Sequence, residues 1–157
     1  MMSLVPSWAP NLHPLLIHFP IVLLILAATV DLLDALFERP AWLGVLGTSL
    51  YIAGAVAAVA AYLTGLQAAA TVFIPGMAHP LVNAHRTWAL ITATYFSVVA
   101  VARLGARRAG FPRGRGGRLL LLAAGLVGIL CLQQTAERGG RLVYEHGVGV
   151  IAAPGSR

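Results

Sequence analysis

The sequence predicts an all-α integral membrane protein, a four-helix bundle with a glycine-rich C-terminal tail. Three observations carry that expectation. Four apolar stretches are each long enough to cross a bilayer, which takes about 20 residues of helix. Hydrophobic residues make up 59% of the 157 residues and charged residues only 10%, against about a quarter charged in ordinary soluble domains. The arginines also gather in one of the three connections between the stretches. In lipid every backbone polar group needs a partner within the chain, so helices are the default for these segments.

Taken in order, residues 1–157 read as a single four-span domain. The first eleven residues carry no charge and lack a small-residue cleavage site behind a short apolar core. The first span is therefore expected to stay in the membrane as an anchor. It runs from about 14 to 37. Pro14 suits a first helical turn, where its missing N–H costs nothing. Pro20 removes a helical hydrogen bond and clashes with the Leu16 carbonyl, which predicts a kink.

A tight connection, Glu38-Arg39-Pro40, leads to the second span, about 41–68. There Gly47, Gly54, Ala58, Ala61 and Gly65 fall on one stripe, where another helix can approach closely. An uncharged loop, 69–82, precedes the third span, about 83–104, with Asn83 as its expected N-cap. The fourth, about 118–138, carries Gly125 and Gly128 and is expected to end at Gly139-Gly140. The tail beyond it is expected to fold back over the end of the bundle. No internal repeat is visible beyond a plan of two hairpins.

All 11 basic residues are arginine, and the net charge is +6. Arg103, Arg107, Arg108, Arg113, Arg115 and Arg118 lie between spans three and four, whereas the loop between spans two and three has no charge. A basic balance packed into one short loop between apolar segments is a topology signal and points away from nucleic acid. The positive-inside rule puts that loop in the cytoplasm and both termini outside, in a bacterial inner membrane. Arg138 and Arg141 run against the rule, with Glu137 and Glu145 beside them as partners. Asp31 and Asp34 then sit at the inner end of span one, as a solvated helix end or a proton relay.

This threading brings all five histidines, His13, His18, His79, His85 and His146, to the outer end. Ionisable side chains at membrane depth are costly and mark functional sites by default. Neutral imidazole is the usual axial ligand of non-covalent haem between facing helices. His18 and His85, nearest membrane depth, are the expected pair for a haem iron. His13 and His146 are expected around them, and Arg86 on a propionate. His13 and His18 are five residues apart, about 140° around a helix, so they do not face one metal unless the helix breaks between them. Zinc or copper is the alternative, with the carboxylates Glu137 and Glu145 in reach, but no local metal-spacing motif supports it. Cys131 stands alone, which excludes both an intrachain disulfide and covalent haem attachment through a paired-cysteine motif.

The segments HPLLIHFP at the start, Thr64-Gly65 ending span two, a histidine with a nearby tryptophan opening span three, and GGRLVYEHGVGV at the end resemble one family over nearly the whole chain. It is the bacterial membrane family called domain of unknown function twenty-two thirty-one. The resemblance implies a four-helix membrane protein. Some members are fused to Rieske iron–sulfur or cytochrome c domains, which implies work near electron transfer. Members often carry an acidic residue shortly after the Thr-Gly pair, where this chain has Gln67 and alanines.

Together these readings give a b-type haem-binding membrane subunit that takes part in electron transfer within a larger redox complex. Its partners would be the lipid bilayer and the other subunits of that complex. No catalytic triad, phosphate loop or paired catalytic carboxylates argue for an enzyme. The rival reading is a cofactor-free structural subunit in which the histidines hydrogen-bond to backbone and hold the outer end together.

Overall fold

The computed structural model describes residues 11–37, 41–111 and 114–150. The chain runs as α1 (His13–Leu16), α2 (His18–Phe37), α3 (Ala41–Thr71), a 3₁₀ turn at Gly76–Ala78, α4 (His79–Arg108) and α5 (Arg115–Tyr144). Among the described residues four helical segments are long and apolar enough to span a membrane, with α1 and α2 acting as one. Glu38-Arg39-Pro40, Arg113 and the last seven residues lie outside the described residues.

The helices outrun the expected spans, and the reasons are local. The kink expected at Pro20 falls one turn earlier, at Ile17, where α1 gives way to α2. Pro20 thereby sits in the first turn of α2, where a missing N–H breaks no helical bond. The third span starts at His79 rather than at Asn83, with Pro80 in its first turn, so Asn83 is a helix-interior residue and not a cap. The fourth runs through Gly139-Gly140 to Tyr144. α4 does end as glycine predicts. Gly110 takes φ 73°, with bonds from Phe111 N to Ala106 O and from Gly110 N to Arg107 O, a Schellman closure. The described part of the tail turns back on its own helix, through Gly147 N to Val143 O and Val148 N to Leu142 O.

Each helix packs against its neighbour in sequence, and α5 returns to α2, closing a ring of four. The outward faces are apolar, with Val56, Val98, Val101 and Leu130 all exposed. The core is made of small residues around Leu24, Tyr51 and Phe96, whose large side chains have no exposed surface. The stripe on α3 performs as read. Gly54 lies against Leu24, Gly65 against His13 and Gly47 against Asp31 and Arg103. With no hydrophobic drive between helices in lipid, such close approach is what holds them together.

The chain contains a repeat that its letters hide. Shifting α1 and α2 by 72 residues superposes His13 on His85, Leu24 on Phe96, Ala28 on Ala100 and Asp31 on Arg103. Shifting α3 by 74 puts Tyr51, Gly54, Ala58 and Ala68 on Gly125, Gly128, Leu132 and Leu142, which are the buried residues of α5. The contacts match as well, since Gly54 receives Leu24 and Gly128 receives Phe96. Two hairpins of the same sense are thus related by a pseudo-two-fold axis running down the bundle, a known plan for membrane proteins. The repeat is hard to see in the letters because several equivalent positions hold different residues, as Asp31 and Arg103, Leu24 and Phe96, and Tyr51 and Gly125 do.

A histidine pair on the bundle axis

Two polar centres lie on this axis, one near each end. His85 and Arg103 are 18 residues apart on α4, about 27 Å of helix, close to the roughly 30 Å of a bilayer's hydrocarbon core. The centres therefore bracket the apolar layer, with Leu24, Tyr51 and Phe96 between them.

At the histidine end, the rings of His13 and His85 lie edge to face, with centroids 6.5 Å apart and planes at 77°. The two halves build this pair in the same way. His13 Nδ1 bonds to Ala61 O at 3.0 Å, and Gly65, one turn further along α3, leaves room for the ring. His85 Nδ1 bonds to Thr135 O at 3.0 Å, and Gly139, one turn further along α5, leaves room for that ring. This is the use of Gly139, which reads as a helix stop in the sequence. A Cβ at either glycine would stand about 3 Å from the facing Cε1. Asn11 Oδ1 accepts from His13 N at 3.0 Å and fixes the start of α1.

The carbonyl partners settle the tautomers. A carbonyl oxygen only accepts, so in each neutral ring Nδ1 carries the proton and Nε2 keeps the lone pair. Two imidazoles are thus oriented by backbone, each with one nitrogen available to a cation or a metal. This is the arrangement that fixes ligating histidines in metal sites generally.

The residues expected at this site separate into two groups. His85 is in place. Its partner is His13, not His18, whose side chain is exposed on α2. The break at Ile17 turns the two consecutive histidines to different directions. Arg86 is exposed too. A second cation, Arg138, directly precedes Gly139 on α5. It stacks over Trp88 at 5.2 Å and donates to Gln134 O and Gln134 Oε1. His79 and His146 sit at the ends of α4 and α5, His79 exposed and His146 half-buried. Among the described residues no group of three or more His, Cys, Asp or Glu side chains could hold a metal together.

The arginine end holds what sequence reasoning missed. Arg103 lies inside α4 and not in the loop, and Asp31 is no solvated helix end. Their side chains are 3% and 5% exposed and form a two-pronged ion pair, Nη1 to Oδ2 at 2.9 Å and Nη2 to Oδ1 at 2.7 Å. The guanidinium also lies over the Tyr51 ring at 4.4 Å. A cavity of about 20 Å³ opens beside it, lined by Asp34, Thr48, Arg103 and Arg107. That is room for about one water. The 72-residue offset that sets 31 opposite 103 emerges only once the helices are placed.

Fold and polar centres define a polytopic membrane protein with a histidine pair and a buried ion pair inside its helical bundle. The chain belongs to the family described as predicted membrane protein (DUF2231), matched over residues 9–152. No curated protein and no solved structure matches it.

Proposed function

We propose that the chain is a b-type haem-binding membrane module in which His13 and His85 would hold the haem iron. The observation that carries this is the symmetric pair itself. Two equivalent imidazoles from the two halves are held by equivalent carbonyls and relieved by equivalent glycines. The ring centroids are 6.5 Å apart, so one imidazole from each half stands beside the other inside the bundle. A donor set of two imidazoles suits a haem iron, whose other four ligands come from the porphyrin. It falls short of the four protein ligands of a structural zinc. Haem in this position supplies one-electron chemistry. Ala61 and Thr135 would hold the ligands in register, and Arg138 would offer a cation to an anionic edge group. The module would pass electrons within a larger redox complex in a bacterial inner membrane, with the histidine end outside and the arginine end in the cytoplasm.

The decisive experiment is an absorption spectrum of the purified protein with and without dithionite. A bis-imidazole haem spectrum, lost in His13→Ala and in His85→Ala but kept in His18→Ala, is the expected result. A colourless wild-type protein with no bound iron by elemental analysis overturns the reading.

A second reading rests on the same two Nδ1–carbonyl bonds. Each ties a helix to its hairpin partner, which is what a cofactor-free structural subunit would need. Native mass spectrometry of the extracted protein, showing partner chains without added haem mass, would favour it.

A further inference from the structure

We propose that the arginine end binds the phosphate groups of anionic phospholipid in the leaflet it faces. Arg107 and Arg108 occupy the last turn of α4, Arg115 starts α5, and all three are exposed. The connection between them is short and α4 packs along α5, so the three arginines share one end of the bundle, with the Arg107 guanidinium reaching toward Gly44 on α3. Leu104 and Leu119, within about a turn on the same two helices, are exposed and apolar. The guanidiniums therefore stand at the level where hydrocarbon gives way to headgroups.

The local acids do not cancel this charge. Among the described residues Asp31 and Asp34 are the acids at this end, and Asp31 is consumed by Arg103 inside the bundle. Asp34 shares the small cavity with Arg107, so among the described residues no further acid at this end is left for Arg108 and Arg115. The exclusive use of arginine fits phosphate. Its planar fork binds phosphate oxygens two at a time, which a lysine ammonium does not. Basic residues next to a span are attracted to anionic lipid by an amount equal to about fivefold in affinity per residue.

The test is native mass spectrometry of the intact protein, extracted with equal amounts of phosphatidylglycerol and phosphatidylcholine present. Wild type should retain phosphatidylglycerol in preference. Arg107→Gln/Arg108→Gln/Arg115→Gln should lower that preference by an order of magnitude or more. A second variant, Arg108→Gln/Arg115→Gln, spares the side chain that lines the cavity and should lower it several-fold. Arg86→Gln/Arg141→Gln, at the other end, should leave it unchanged. Equal retention of the two lipids by wild type overturns the proposal, as does an unchanged preference in both variants. A further arm adds inorganic phosphate in place of lipid. Binding of free phosphate as tight as that of the lipid would assign this end to a soluble anion and also overturn it.

Discussion

Asp31 and Arg103 occupy the same position in the two halves of the chain and bond to each other across the axis that relates those halves. A strictly symmetric protein would place two carboxylates or two guanidiniums there, and either pair would repel inside a low-dielectric core. Opposite charges make the halves unlike at one point and complementary at that point. The ion pair therefore fixes which hairpin faces which, and in what register, in a bundle whose other contacts are small and apolar. Registry is the best-attested role of a buried ionic pair.

This account predicts an asymmetric outcome from charge exchange. Asp31→Asn or Arg103→Gln leaves one buried charge without its partner and should cost about 3–5 kcal/mol. The exchange Asp31→Arg with Arg103→Asp keeps the pair and should recover most of that loss. Reversible unfolding of the three variants in detergent micelles, against wild type, is the measurement. A double exchange no more stable than the worse single variant would show that surroundings such as Tyr51, and not the pairing, decide the site.

Tyr51 and Gly125 are equivalent positions too, and their partnership is steric. A Cβ at Gly125 would collide with the Tyr51 hydroxyl, and Asp31 Oδ2 lies close by. Gly125→Ala should destabilise by about 1–3 kcal/mol, the range for an overpacked core. Adding Tyr51→Phe removes the atom it meets and should restore part of that loss, so the double-mutant cycle should give a clear coupling energy. Additive effects would place the alanine's cost elsewhere.

Glu145 offers a pH test outside the spans. It pairs with Arg141 at 2.9 and 3.1 Å on the exposed surface. The Arg141 hydrogen bond, with its charge, holds the Glu145 carboxyl below the usual glutamate range. Such a group contributes stability above its unfolded pKa and loses it as pH falls through the folded value, here on the acid side of the ordinary glutamate range. An NMR titration of Glu145 should give a lower midpoint in wild type than in Arg141→Gln, with the gap closing at high salt.

The number of helices, their rough extents and the small-residue stripe were legible because each is a local property of a few consecutive residues. Length, hydropathy and glycine spacing report them without knowledge of any partner. The gathering of histidines at one end followed from topology alone. The pairing of His13 with His85 did not, because it depends on the break at Ile17 and on carbonyls about 50 residues away in sequence. Depth pointed to His18, whose ring the break leaves on the outside. Asp31 and Arg103 were read apart because each looked ordinary at a helix end. Only the 72-residue offset places them opposite each other, and that offset is hard to see when aspartate stands for arginine and leucine for phenylalanine.

The glycines beneath the histidines separate the function of the site from the stability of the fold. Gly65 and Gly139 are half-buried, and a methyl group at either would stand at 3.0 or 3.1 Å from Cε1 of the ring it supports. The ring must then move by a few tenths of an ångström, which lengthens its bond to Ala61 O or Thr135 O and turns Nε2 from its line. Gly65→Ala and Gly139→Ala should each keep the helical content and change stability by less than about 1 kcal/mol, since alanine favours a helix interior over glycine by about that amount. Each should nonetheless alter the imidazole ¹⁵N shifts of its own histidine in lipid bilayers. In wild type both rings, when neutral and without metal, should show the pattern of a proton on Nδ1. A haem spectrum, if present, should weaken in both variants. Finding the proton on Nε2 in either ring would contradict the carbonyl bonds, and with them the geometry on which the paired site depends.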